Sequence, residues 1–376
     1  MKNWLKILVR NVRAFDFHAP DSLIKINISR ASLLHNLDEF KKAYPGKNIA
    51  PVLKSNAYGH GLLEVAQVIK DRVDFFIIDS YFEAQKLRAD GITNPLLIMG
   101  YVRPECMNGA RLKNVSYAIT SLEMLQGITA RVKIHLKIDT GMHRQGILPE
   151  ELAEALGYIK NHQNIIPEGL CSHLADADGT HRQFTEKQIA LWNGIVKKTT
   201  ALFPSIKYTH LSNTFGHAFS DMILANTSRL GIGLYGLANM SELDLWPVLE
   251  MKTILTGIKK IKKGDAVGYN NTFVAEKAMI IATIPLGYHE GLDRNLSNKG
   301  FVKIKDIFCP IIGRISMNIT TIDVSRVDNA RVGDEVQVIS TEKSDFNSIE
   351  SLAKISSRIT YEIPVRIPAE IRRMVV

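Results

Sequence analysis

One lysine stands out by where it falls. Lys54 lies in the run PVLKSNAYGHG, residues 51–61, at the end of an apolar strand-like stretch and the start of a glycine-punctuated turn. Loops that follow strands are where enzymes on parallel-sheet scaffolds carry their chemistry. An amine held there can be partly desolvated and nucleophilic, able to form a Schiff base with a carbonyl cofactor. Taken alone, it reads more readily as a snorkelling lysine in a turn.

Other groups of the same kind follow. KIDTGMHRQG (137–146) places Lys137 and Arg144 at either end of a tight loop after a strand. His173 ends the next apolar run, with Asp176 and Asp178 behind it; Asp and His at this density, without a third cluster, make no metal site. HLSNT (210–214) ends another run and holds Asn213 and Thr214. In RLGIGLYG (229–236), Gly231, Ile232 and Gly233 follow a strand, where free backbone N–H groups can cradle a phosphate. Tyr269, Tyr288, Met317, Asn318 and Tyr361 occur later, each in a polar turn that says little by itself.

The elements that must position these residues are repeated βα units. Strand-like runs fall at 23–28, 49–54, 74–79, 95–100, 115–119, 133–139, 169–174, 206–211 and 229–235, with helical patterns such as 62–71, 82–89, 150–161 and 186–203 between them. Repeated βα units imply a parallel sheet with right-handed crossovers, and eight of them close a (β/α)8 TIM barrel of ~250 residues. Nine runs leave one over, and the first is expected to pair outside the barrel. Near Trp246 the pattern changes to short strands with turn signals at 253–260, 264–265, 278–285, 301–303, 308–312 and 335–339, with one helix near 348–356. The expected architecture is α/β: an N-terminal extension over 1–20, a barrel over 21–246, and a smaller, mostly β domain over 247–376.

Composition narrows the class. The chain has 376 residues, 45% hydrophobic and 23% charged, with a net charge of +9. No apolar run approaches the ~18 residues of a membrane span. The lysines are scattered and no nucleic-acid-binding motif occurs, so the charge reads as a solubilising surface that also favours anionic ligands. Three widely spaced cysteines fit a reducing compartment, the cytoplasm. Residues 1–20 alternate Trp4, Leu5, Ile7, Leu8 and Val12 with Lys2, Lys6, Arg10 and Arg13, an amphipathic basic pattern without the form of a secretory signal.

Taken in order over about residues 23–373, the lysine run, KIDTGMHRQG, SRLGIGLYGL (228–237), GYNNTF (268–273), GRISMN (313–318) and RITYEIP (358–364) resemble the alanine racemase family. The resemblance implies pyridoxal phosphate as cofactor, held by Lys54, which also acts as base on one face of the substrate. It implies Tyr269, from the partner of a homodimer, as base on the other face. Arg229 would face the pyridine nitrogen, with His173 bonded to it behind the ring. Arg144 would contact the cofactor's phenolic oxygen and the substrate carboxylate, oriented by Lys137, which matches a lysine that is carbamylated in some members. Tyr58, Asn213, Thr214, Gly231, Ile232 and Tyr361 would hold the cofactor, mainly its phosphate. Tyr288, Met317 and Asn318 would line the substrate entrance, for a small amino acid. If the product is D-alanine, it would supply peptidoglycan.

The chemistry wants such a set. The Cα proton of an amino acid is too weakly acidic for an unaided side chain, and the cofactor spreads the developing charge. Inversion needs one base on each face; lysine and tyrosine both start near pKa ~10, so their surroundings must tune them. Asn318 departs from the family's usual aspartate, which opens serine or broader specificity, and His143 replaces a common glycine. Among rivals, the basic amino-acid decarboxylases would need a glycine-triplet phosphate loop that is missing. A non-catalytic carrier of the cofactor would use a barrel alone, without a second domain and Tyr269.

Overall fold

The computed structural model describes residues 22–376; the extension expected over residues 1–20 lies outside the described residues. The first strand, β1 (Lys25–Ile28), stands apart from the eight that follow: β2 (Asn48–Pro51), β3 (Phe76–Ile78), β4 (Leu96–Ile98), β5 (Val115–Ile119), β6 (Val132–Lys137), β7 (Ile165–Cys171), β8 (Tyr208–His210) and β9 (Thr227–Leu230). β3 to β8 pair in parallel in sequence order, and β2 pairs in parallel with β9. Two seams close the ring. Val52 bridges Ile77 and the Leu53 N–H donates to the Ile77 carbonyl at 2.7 Å; on the other side the Arg229 N–H donates to the Ser212 carbonyl at 3.1 Å. Every residue of β3, β4 and β5 is buried, as expected for parallel strands covered on both faces.

The outer helices turn one apolar face inward. Leu62–Ile69 buries Leu62, Val65, Ala66 and Ile69, and Arg182–Leu202 buries Ile189, Trp192, Ile195 and Val196. Helix Arg30–Ala43, which the apolar spacing did not single out, starts at Ser29, whose hydroxyl accepts the Ser32 N–H. Its Asn36 amide donates to the carbonyls of Leu234 and Trp246 at 3.0 and 2.8 Å, fixing the segment after β9.

As expected, β1 lies outside the barrel. It pairs antiparallel with Leu249–Ile254 and parallel with Arg373–Val375, in a six-stranded sheet of the second domain. A three-stranded sheet of Gly257–Ile261, Met279–Ile284 and Thr320–Asp323 packs beside it. Four expectations need correction. The single strand expected at 253–260 is two, because the Leu255 N–H donates to Asp334 while the Thr256 N–H donates to Thr283, so the chain changes sheets there. Residues 264–265 form a turn, with Gly264 at φ +91°. The run 229–235 ends as strand at Leu230, and Ile232–Tyr235 is a 3-10 turn. Ladder pairing of the strand before Lys54 ends at Pro51, so Lys54 opens a turn of its own.

Candidate active site

A cavity of about 630 Å³ opens at the C-terminal ends of the barrel strands. Lys54, Tyr58, Lys137, Arg144, His173, Asn213, Thr214, Arg229, Gly231, Ile232 and Tyr361 all line it. The structure thus gathers in one place every expected cofactor residue, drawn from six separate stretches of chain.

Lys54 is aimed by an unusual piece of backbone. Ser55, Asn56, Ala57 and Tyr58 have φ of +56°, +56°, +52° and +54°, a left-handed turn that costs ordinary residues ~1–2 kcal/mol each. Its neighbours over-determine it. Glu83 accepts the Ser55 N–H at 2.8 Å while also accepting those of Asp79 and Ser80, and the Asn56 side chain accepts the Leu62 N–H at 2.9 Å. A Cβ on Gly59 would lie 1.9 Å from the Pro364 carbonyl oxygen, so this glycine lets the tail carrying Tyr361 press against the lysine turn. Tyr58 then meets Tyr361 and Tyr235 with ring centroids 5.8 and 5.2 Å away.

The loop after β6 is folded by Asp139, whose carboxylate accepts the N–H groups of Gly141 and His143 at 2.9 and 3.0 Å. Those bonds outweigh burial and hold its acid below the usual range. Lys137 is only 4% exposed, and its ammonium donates to Gln145 at 3.3 Å. Burial pushes its pKa down, and the charges of Arg229, Arg144 and Lys54 push the same way.

Arg229 anchors the floor. It donates to the carbonyls of His210 and Leu211, both at 2.9 Å, to His210 Nδ1 at 3.0 Å and to His173 Nδ1 at 2.8 Å. An arginine only donates, so both imidazoles accept at Nδ1 and carry their protons on Nε2. His210 Nε2 then donates to His135 Nδ1 at 2.8 Å, which leaves the His135 proton on Nε2, 4.0 Å from Glu168. Ser116 and Lys133 engage that glutamate from below. Burial lowers the pKa of all three histidines, His135 to about 4, so the chain through the barrel is one of neutral imidazoles ordered by Arg229.

The residues fit a phosphate-bearing carbonyl compound. A Cβ on Gly231 would come within 2.9 Å of the Tyr58 hydroxyl, so the cradle depends on its absence; Thr214 Oγ1 accepts the N–H groups of Gly231 and Gly233 at 3.3 and 3.2 Å. Four cationic side chains (Lys54, Lys137, Arg144, Arg229) face one carboxylate, Asp79, in the lining. Asn213 also has a scaffold task, accepting the Gly216 N–H at 2.9 Å. Sequence reasoning assigned nothing to Asp79, Met99, Tyr101, Gln145 or the His135–His210 pair. The strand-end rule could have found the first three; the histidine pair depends on which strands are neighbours.

Tyr269, Tyr288 and Met317 are elsewhere. They line a second concavity of about 1150 Å³ on the β domain, and the two linings share no residue. Tyr269 is 66% exposed. Asn318 lies next to Met317 but lines neither cavity; its amide is turned onto Glu290. Among the described residues no group of His, Cys, Asp and Glu forms a metal cluster, and no helix is long and apolar enough to cross a membrane.

Comparison with known proteins agrees over both domains. The family described as "Alanine racemase, N-terminal domain" matches residues 28–239, and "Alanine racemase, C-terminal domain" matches 248–375. An alanine racemase of Lactobacillus acidophilus is 34% identical over 92% of this chain and 95% of its own length. Among solved structures, an alanine racemase of Clostridium difficile superposes with a TM-score of 0.88 at 29% identity, covering 95% of this chain and 96% of its own. A histidine racemase from Leuconostoc mesenteroides gives 0.86 at 26% identity, covering 96% and 100%.

Proposed function

The chain belongs to the alanine racemase family of pyridoxal-phosphate-dependent isomerases, and from that premise we propose that it interconverts L- and D-alanine with two bases, Lys54 and the Tyr269 of a second copy. The observation that carries the two-chain reading is the separation of the two bases. Lys54 lines the barrel cavity, while Tyr269 stands exposed on another concavity that shares no residue with it. One site containing both therefore draws them from two chains, as a symmetric homodimer provides.

When bound, pyridoxal phosphate supplies the electron sink that makes the Cα–H of an amino acid removable. Tyr58, Thr214, Gly231, Ile232 and Tyr361 would hold its phosphate, and Asn213 would shape the same loop. Arg229 would meet its ring nitrogen as a donor, with His173 and His210 fixing the guanidinium plane. Arg144, carried on the loop that Asp139 folds, would orient the substrate carboxylate, and Lys137 would help to position it only with its amine carbamylated. Lys54 would move the proton at one face of Cα and Tyr269 at the other, so that the substrate inverts without turning over. Tyr288 and Met317 would border the entrance from the second copy, with Asn318 behind Met317 and bonded to Glu290.

We place the domain border at 246/247, with β1 joined to the C-terminal unit. Three unpaired cysteines support a reducing compartment, the cytoplasm, and D-alanine would feed peptidoglycan. The test is to incubate the holoenzyme with L-amino acids in D2O and follow Cα deuteration together with enantiomer ratio. Alanine should exchange with inversion, and both Lys54→Ala and Tyr269→Phe should lose ~10²-fold or more in kcat, the scale of a removed acid–base group. Exchange without inversion in the wild type would leave only one working base and refute the reading.

A further inference from the structure

Two loops of the β domain form the rim on which Tyr288 and Met317 stand, and one buried carboxylate ties them together. Along the backbone, the Tyr288 N–H donates to the Ser316 carbonyl at 3.1 Å and the His289 N–H to the Met317 carbonyl at 2.9 Å. Gly287 allows this approach, since a Cβ there would lie 2.2 Å from the Ser316 oxygen. Glu290 closes the arrangement. One of its oxygens accepts the Gly287 N–H at 2.8 Å, on its own loop, and the other accepts the Asn318 side-chain N–H at 2.6 Å, on the opposite loop. Glu290 is only 9% exposed, and among the described residues no cation forms an ion pair with it.

The amide of Asn318 is therefore what makes a glutamate tenable at position 290. An aspartate at 318 would set two carboxylates about as far apart as a hydrogen bond, where both cannot stay ionised at low cost. One would keep a proton, or the new carboxylate would swing outward and place a negative charge on the rim. As it stands, the rim carries no free carboxylate from this pair. The adjoining lining is cationic, with Arg294, Lys299, Arg314, Arg358 and Arg366 against Asp293, which already engages Arg358 and Arg366 at 3.1 and 2.8 Å. The titratable groups near Glu290 in sequence are Tyr288, His289, Asp293 and Arg294, and the adjoining concavity adds Arg314 on the facing loop and Arg358 and Arg366 on the C-terminal segment.

We propose that Glu290 is a positioning residue that clasps the two entrance loops through Asn318, and that this clasp selects substrates with small uncharged side chains over cationic ones. The inference rests on the racemase reading, with these loops at the substrate entrance. On it, a lysine or arginine substrate meets repulsion and finds no counter-ion, whereas alanine and serine need none.

The test uses the holoenzyme and three variants: Asn318→Asp, Glu290→Gln, and the double variant, in which the amide and the acid exchange places. Asn318→Asp should raise the alanine KM ~tenfold, increasingly with rising pH because two carboxylates at hydrogen-bond distance repel once both are ionised, with a smaller effect on kcat. The double variant should recover most of that loss and flatten the pH profile, because a glutamine can donate to the aspartate. Its ratio of kcat/KM for lysine over alanine should exceed the wild-type ratio by ~fivefold or more. Melting temperature against pH reads the clasp without any turnover: it should fall with rising pH in Asn318→Asp and not in the double variant. A pH-independent KM and melting temperature in Asn318→Asp, or no recovery in the double variant, would overturn the clasp. An unchanged lysine-to-alanine ratio in a recovered double variant would overturn its role in selection. A wild type inactive on every amino acid would overturn the racemase reading, while the melting curves still decide the clasp.

Discussion

Arg229 is the residue through which the site's polar chemistry is organised. Because its guanidinium can only donate, it dictates the tautomer of His173 directly and of His135 through His210, over bonds of 2.8 to 3.0 Å. Such a chain in a barrel interior, where branched apolar side chains are the rule, has a consequence for stability. His135 and His60 are fully buried, with burial lowering both to about 4 in the fold, against about 6.5 unfolded. A histidine with a depressed folded value leaves the fold unpenalised above the unfolded value; below it the unfolded chain takes up protons that the fold refuses. Stability should therefore be level above about pH 6.5 and fall steadily towards pH 4, by ~3 kcal/mol for each histidine. Denaturant titrations across that window check it. His135→Gln should flatten part of the slope and raise the KM for cofactor more than it changes kcat, since His210, which accepts from Arg229, would lose the partner that holds its ring.

The elements that matter most are the turns after the strands. The left-handed turn at 55–58 is held by Glu83, by Asn56 and by close packing of Gly59 on Pro364. Gly59→Ala should be among the most damaging single changes, combining φ +85° with a backbone overlap, at a cost above ~3 kcal/mol. It should also release cofactor, read by absorbance after gel filtration; full retention with unchanged melting would contradict the packing account. Much of this scale was legible in the sequence. Strand ends marked by Lys137, His173, Asn213 and Gly231 pointed to the right loops because βα periodicity is strong and glycine punctuation is local. The left-handed turn was not legible, since Ser55, Asn56 and Ala57 carry no such preference strong enough to read; contacts with Glu83 and Pro364, remote in sequence, impose it. Nor was the break at Leu255–Thr256, where hydrogen bonds to Asp334 and Thr283 overrule a continuous apolar pattern. Glu290 escaped notice because its partner, Asn318, is 28 residues away.

At the scale of the whole molecule, the fold divides the labour between a barrel that binds and a β domain that presents. The β domain displays Tyr269, Tyr288 and Met317 on an exposed face, 66%, 43% and 55% accessible, which is wasteful for a chain that works alone. A second copy seated there would complete both barrel cavities at once. The net charge of +9 adds a long-range attraction for the substrate carboxylate and the cofactor phosphate. Raising salt from ~10 mM to ~1 M should accordingly raise the alanine KM several-fold with little change in kcat. The most direct measurement is subunit complementation: Lys54→Ala and Tyr269→Phe chains, each inactive alone, are mixed by co-expression and the mixed dimer is purified. If each site takes Lys54 from one chain and Tyr269 from the other, the mixed dimer contains one intact site and racemises alanine at up to half the wild-type rate per dimer. An inactive mixed dimer, with both chains folded and loaded with cofactor, would mean that each chain supplies both bases to its own site and would contradict the account.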